Sequence, residues 1–149
     1  MKKQIVLLFV LLSAITIDTN AQDYSRAIGI RGGLGANVTY KHFVSSQSAF
    51  EILGGFYFGD VYGSLVFEVH NDFSNPVRGL TWYWGVGGSV LLSSGGIGVG
   101  GLGAIGLDYA FGDIPLNISL DWMPHLYLIG GRGFEAGGGG FSLRYILDR

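Results

Sequence analysis

Seven charged side chains stand singly within the apolar stretches of a chain in which 13% of residues are charged. They are Arg31, Lys41, Glu51, Glu68, Asp108, Asp121 and Arg144. Each has small or apolar neighbours, and three are cations against four carboxylates. Groups spaced this way could pair with one another in a shared interior, or could gate ions along a narrow path. Three histidines, His42, His70 and His125, are the other titratable candidates. A metal would need them to converge to bonds of about 2 Å on one ion. Their positions place His42 and His70 near one end of the fold and His125 in the opposite half, so no metal site is expected.

Two further motifs fail on their surroundings. Gly98, Gly100 and Gly103 match the G-x-G-x-x-G pattern, and Asp121 follows 18 residues later. That pattern binds a dinucleotide only when a helix follows and aims its amides at the pyrophosphate. Here the glycines lie inside an alternating segment, and no cofactor is expected. Asn37-Val38-Thr39 and Asn117-Ile118-Ser119 match the glycosylation sequon. Both lie in or beside strands, which makes them chance matches.

The elements that must position these residues are strands. From Ile97 to Phe111 the odd positions are Ile97, Val99, Ile105, Leu107, Tyr109 and Phe111 with Gly101 and Gly103, and the even ones are small or polar. From Leu116 to Trp122 the even positions Leu116, Ile118, Leu120 and Trp122 are apolar, opposite Asn117, Ser119 and Asp121. A period of two is a strand with one apolar face, and Gly112 to Pro115 joins the two arms as a hairpin. The same alternation recurs over 26–35, 38–43, 50–58, 65–70, 80–92 and 141–147. Turns are expected at Gly35-Ala36-Asn37, Ser45 to Ser48, Gly59 to Gly63 and Ser93 to Gly96. Longer connections are expected at Asn71 to Gly79 and Ile129 to Gly140. Pro124 cannot donate to a ladder and should mark a bulge. Residues 26–43 could form one bent strand. A break near Ala36 is preferred, because seven strands would leave the two ends on opposite sides. The expected total is eight strands, and no segment shows a helical stripe.

The first residues carry an export pattern. Lys2 and Lys3 precede an apolar run from Ile5 to Ile17, and Thr19 and Ala21 provide small residues before a cut between Ala21 and Gln22. Thirteen apolar residues fall short of the roughly 20 that span a bilayer as a helix. The expected organisation is therefore a signal peptide over 1–21 and one domain over 22–149. That domain holds all 27 glycines and no cysteine, so no disulfide framework supports it. The chain's net charge of −2 argues against nucleic acid, which needs a basic face. Charged residues make up 13% of the chain, against roughly 25% in soluble domains.

These observations decide which face is the inside. Apolar faces turned into a soluble core would leave Lys, Glu and Asp on the other face for water. The other faces are instead Gly, Ala, Ser and Thr with one or two charges each. Small residues filling a narrow bore suit a closed eight-stranded barrel. A lipid-facing Arg or Lys at mid-bilayer costs about 2–4 kcal/mol, so the seven charges belong inside and the apolar faces belong against lipid. The expected fold is all-β, a closed antiparallel up-and-down transmembrane β-barrel. Its aromatic girdles would be Trp82, Trp84, Tyr109, Phe111 and Tyr145 at the periplasmic rim, and Phe56 and Phe58 at the opposite one. Arg132, Phe134 and Glu135, in the longest outer connection, are the candidates for external contact.

The segments Ile28-Gly29-Ile30-Arg31-Gly32-Gly33, Thr39-Tyr40-Lys41-His42-Phe43, Trp82-Tyr83-Trp84-Gly85-Val86-Gly87-Gly88 and Leu116 to Pro124 carry a resemblance. Together with the signal peptide, the chain resembles the small OmpA/OmpX-like outer-membrane β-barrels of Gram-negative bacteria. The resemblance covers the whole of 22–149 and is architectural. It implies an outer-membrane location and a structural or interaction role without catalysis. The implied partners are membrane lipid, lipopolysaccharide and the barrel-insertion machinery, and the implied state is a monomer. The carboxyl end departs from the family, because Tyr145 rather than the last residue is the nearest aromatic. Some barrels of this type remove acyl chains from lipid A, using a Ser and a His on the lipid-facing wall. His125 instead shares the lumen face with Ser119 and Asp121. Ser119 lies about 20 Å away at about 3.3 Å per residue. A narrow ion channel is the other alternative, and an eight-stranded bore is just wide enough for side chains.

Overall fold

The computed structural model describes residues 23–33, 35–130 and 132–149. The expected signal peptide and its cleavage residues Ala21 and Gln22 lie outside them, as does Leu34. Ten strand segments occur among the described residues. They are β1 (Arg26–Gly33), β2 (Gly35–Phe43), β3 (Ser48–Tyr57), β4 (Asp60–Asp72), β5 (Leu80–Ser93), β6 (Gly96–Ala110), β7 (Leu116–Trp122), β8 (His125–Ile129), β9 (Gly133–Glu135) and β10 (Gly139–Asp148). They make eight staves, because β7 and β8 continue one stave and β9 and β10 the next. All neighbours run antiparallel, and β1 closes the ring on β10 with Ile28 opposite Tyr145 and Ile30 opposite Leu143. The fold is the closed, antiparallel, up-and-down eight-stranded barrel expected from the alternation.

Closure removes the free sheet edges that an open sheet would expose. It also gives the two faces of every strand opposite fates. In β10, Phe141, Leu143, Tyr145 and Leu147 are exposed while Ser142, Arg144 and Ile146 are buried. In β2 the exposed and buried sets are Val38 and His42 against Asn37, Thr39, Lys41 and Phe43. The interior is filled in layers. Tyr24, Ala27, Phe43, Ala49, Ala110 and Ile146 close the end that carries residue 23 and the carboxyl terminus, termed here the near rim. Leu53, Tyr57, Tyr62, Met123 and Tyr127 belong to a second apolar cluster toward the far rim.

Several boundaries differ from those read in the sequence. Residues 26–43 hold two strands, but β2 already begins at Gly35, inside the turn expected at Gly35-Ala36-Asn37. Ala36 is already paired with Gly32, and Asn37 with Arg31. The expected turn Gly59 to Gly63 is shorter, since β4 starts at Asp60 and Tyr57 pairs with it. The tight reversal is made by Phe58 and Gly59, both at positive φ (51° and 90°). Asn71 and Asp72 also belong to β4, which leaves a connection over residues 73–79.

The interruption at Met123–Pro124 is a bulge, but it affects only one side of the stave. Toward β6 the register is kept across the interruption, with Ile105 facing Trp122 and Leu102 facing His125, and shifts only later, between Val99 and Gly100. The Gly103 amide donates to the Pro124 carbonyl at 3.0 Å. Toward the last stave, Trp122 faces Gly139 and His125 faces Glu135, so residues 136–138 must span one position more than Met123 and Pro124. The Pro124 carbonyl and its missing donor both face β6, while on the other side, where the ladder yields, the Met123 amide donates to the Gly138 carbonyl at 3.1 Å.

Candidate functional site

The inner face of the barrel gathers charge from seven strands. Arg31 of β1 is 9% exposed and Asp121 of β7 6%, and the two form an ion pair. Arg31 also donates to the Gly138 carbonyl at 3.0 Å, and the Tyr83 hydroxyl donates to Asp121 Oδ2 at 3.0 Å. Nearer the near rim, Lys41 of β2 places Nζ 2.8 Å from Glu68 Oε2, 3.3 Å from Asp108 Oδ1 and 3.6 Å from Glu51 Oε2. The same ammonium lies 4.5 Å from the centre of the Tyr83 ring, a cation–π contact. Arg144 of β10 pairs with Glu51 and donates to Asn117 Oδ1 at 3.0 Å, Ser119 Oγ at 2.9 Å and Thr39 Oγ1 at 3.2 Å. Asn117 in turn donates to Asp108 Oδ2 at 2.6 Å. The structure thus brings all seven charges to one interior and joins each to an opposite charge.

Neutral groups complete the network. His70 sets Nε2 2.9 Å from Glu68 Oε2 and Nδ1 3.1 Å from Thr81 Oγ1, while its ring stacks on Tyr83 at 4.8 Å. Tyr24 donates to Asp108 at 3.3 Å from the lead before β1. Burial first, then the Asp108 carboxylate, raises the Tyr24 hydroxyl well above its ordinary range, which keeps it a donor. Inward glycines make room for the long side chains. A Cβ on Gly140 would land on the Arg31 guanidinium, and one on Gly106 would lie 2.9 Å from the Tyr83 ring.

At the level of Lys41, Glu51, Glu68 and Arg144 the bore is occupied by side chains, all four fully buried. The arrangement is a filled, internally ion-paired plug rather than an open path. Buried charges of this kind hold only when each is paired and hydrogen-bonded. Toward the far rim a space of about 10 Å³ is lined by Arg31, Asn37, Tyr57, Tyr62, Met123 and His125, room for one water at most. His125 faces inward, with Nε2 2.9 Å from the Tyr62 hydroxyl. His42 is exposed on the outside of β2, and His70 is at the opposite end of the bore from His125. No cluster of three or more potential metal ligands occurs among the described residues.

The remaining candidates fall on the two rims. Trp82 and Trp84 open β5, Tyr109 and Phe111 meet edge-to-face at 4.8 Å where β6 ends, and Tyr145 lies 54% exposed on β10. Phe56 and Phe58 point outward at the far rim. Arg132, Phe134 and Glu135 differ from the free loop expected of them. Phe134 and Glu135 lie in β9, paired with Leu126 and His125, so the connection is itself a short hairpin. Arg132 reaches across to Asp60 and to Glu135, tying this hairpin to the start of β4. Phe134 alone of the three points freely outward, 66% exposed.

Sequence reasoning passed over Thr39, His70, Tyr83, Asn117 and Ser119 as network members. Parity was the available signal: Thr39, His70, Asn117 and Ser119 each share their strand's inward face with a charge, and Tyr83 alternates with the outward Trp82 and Trp84 on a strand without one. For Tyr24 no local pattern existed. Compared with known protein families, curated proteins and solved structures, the chain finds no match. Fold and site together define a closed eight-stranded barrel with a polar, filled lumen.

Proposed function

We propose that this chain is an integral outer-membrane barrel of the OmpA/OmpX-like kind, with a structural or interaction role and no catalysis. One observation supports the reading: the apolar wall is turned outward around the ring while the charges are turned in. Ile30, Ile52, Leu65, Val86, Ile105 and Leu120, one from each of six staves, are each more than half exposed. Water is a poor solvent for such a wall and lipid a good one. A tilted strand of about 9–11 residues crosses a bilayer, and β1, β2 and β3 have 8, 9 and 10. The filled bore supports a plug over a channel, and the inward His125 supports the non-enzymatic reading over a lipid hydrolase. On this reading the wall meets membrane lipid and lipopolysaccharide, Tyr145 serves the insertion machinery as the terminal aromatic, and the barrel is a monomer. The signal peptide over 1–21 is removed after Ala21.

Cell fractionation followed by electrophoresis with and without boiling tests this directly. The expected result is recovery with outer membranes and a mobility that changes on heating. Recovery as a soluble periplasmic protein overturns the reading.

A further inference from the structure

We infer that Glu51 and Glu68 share one proton at neutral pH, which makes this carboxyl pair a proton-binding site sealed inside the bore. The argument begins with charge. The lumen holds Arg31, Lys41 and Arg144 against Glu51, Glu68, Asp108 and Asp121, all of them buried. One carboxylate is left over. An uncompensated ionised carboxylate in a dry interior is far more costly than a neutral one, so a proton or another cation must be present.

Hydrogen bonding then says where the proton sits. Glu51 extends from β3 and Glu68 from β4, and one ammonium gathers both carboxyls: Lys41 Nζ lies 2.8 Å from Glu68 Oε2 and 3.6 Å from Glu51 Oε2. Glu51 Oε1 accepts from Thr39 and Arg144. Glu68 Oε2 faces the ammonium of Lys41 at 2.8 Å and His70 Nε2 at 2.9 Å. The two oxygens left without a hydrogen-bond partner are Glu51 Oε2 and Glu68 Oε1. Two ionised carboxylates gathered on one ammonium repel. A single proton on Glu68 Oε1, donated to Glu51 Oε2, satisfies both. The Glu68 carbonyl oxygen then accepts from Lys41 and from neutral His70, whose Nδ1 accepts from the Thr81 hydroxyl.

The alternative carrier is His70. An imidazolium there would balance the count but would leave both orphan oxygens bare. The groups that face the pair are Tyr24 before β1, Arg31 on β1, Thr39 and Lys41 on β2, His70 beside Glu68 on β4, Tyr83 on β5, Asp108 on β6 and Arg144 on β10. When His70 is neutral the positive charges are Arg31, already paired with Asp121, and Lys41 and Arg144, both engaged by Asp108 as well.

Infrared spectroscopy of the folded full chain in detergent at neutral pH tests the site. The expected result is a neutral carboxylic-acid C=O band that moves when glutamate, but not aspartate, carries a ¹³C carboxyl. Absence of that band, or its movement with labelled aspartate alone, overturns the proposal without recourse to a variant. In Glu68→Gln and in Glu51→Gln, judged folded by their heat-modifiable mobility, the band is expected to vanish; persistence in both also overturns it. Because folding would then take up one proton, the folding equilibrium constant of the native sequence should fall about tenfold per pH unit above about pH 7.5, where histidine is neutral in the unfolded chain as well. Glu68→Gln should flatten that slope, and an equal slope in the variant counts against the site.

Discussion

Arg144 and Glu51, 93 residues apart in the chain, form an ion pair across the bore between β10 and β3. Both are fully buried. The pair links the last stave to the third, and Arg144 adds contacts to Thr39, Asn117 and Ser119 on two further strands. The residue therefore acts as an internal cross-brace.

Removing one member should reveal this. Arg144→Met is expected to destabilise the barrel by about 3–5 kcal/mol, because it leaves Glu51 buried without its main partner. The double variant Arg144→Met with Glu51→Gln should recover part of that loss, since the stranded charge is gone as well. Denaturant unfolding of the refolded protein in lipid vesicles measures both. A single variant as stable as the native sequence would show that the brace carries little.

The Arg31 guanidinium depends on the absence of a side chain at Gly140. Gly140→Val is expected to displace it from Asp121 and destabilise the fold, in the range of about 1–3 kcal/mol found for overpacking. Combined with Arg31→Met, the two effects should be less than additive, because the steric conflict disappears with the guanidinium. Strict additivity in a double-mutant cycle would separate the two sites.

Leu143 sits outward near the middle of β10, opposite Ile30. In a bilayer, Leu143→Arg should cost about 2–4 kcal/mol, as a charge at mid-depth does on a barrel wall. In the far-rim turn, Ser94→Arg should cost nothing measurable. Unfolding in vesicles distinguishes the outcomes. Equal tolerance of both substitutions would point to a wall facing water.

The two rims should differ in access. The chain has no cysteine, so an introduced one is unique. Phe134→Cys, on the hairpin of β8 and β9, is expected to react with an impermeant thiol reagent on intact cells. Asn75→Cys, in the connection between β4 and β5, should react only after permeabilisation. The reverse pattern would invert the barrel in its membrane.

The clasp between Arg132 and Asp60 is partly exposed, with side chains 32% and 20% accessible. Its loss in Asp60→Ala should change global stability by less than about 1 kcal/mol. The expected change is local: faster cleavage within residues 130–138 by external protease. Unchanged cleavage would mean that strand pairing with β8, rather than the ion pair, holds the hairpin down.

Alternation alone was enough to assign the eight staves and the face of each residue upon them, but not the short β9, which lies in the stretch expected as a connection. Lys41, Glu51 and Arg144 share one parity with Thr39, Leu53 and Ile146 along their strands, and a period of two admits no other grouping. The choice of inside was legible too, because the opposite faces lacked the charge that water requires. What neither parity nor composition could reveal was height within the bore. Which cation meets which acid depends on the tilt and stagger of all eight staves, properties of the closed ring and not of any segment. So the meeting of Arg144 with Glu51, of Arg31 with Asp121, and of Tyr24 with Asp108 emerged only with the barrel closed. The reversal at Phe58 and Gly59, one position before the turn expected there, has the same origin. Tyr62, read as a turn residue, is drawn into β4 because its ring packs inside against Tyr57 and His125, a gain visible only once the opposite wall is in place.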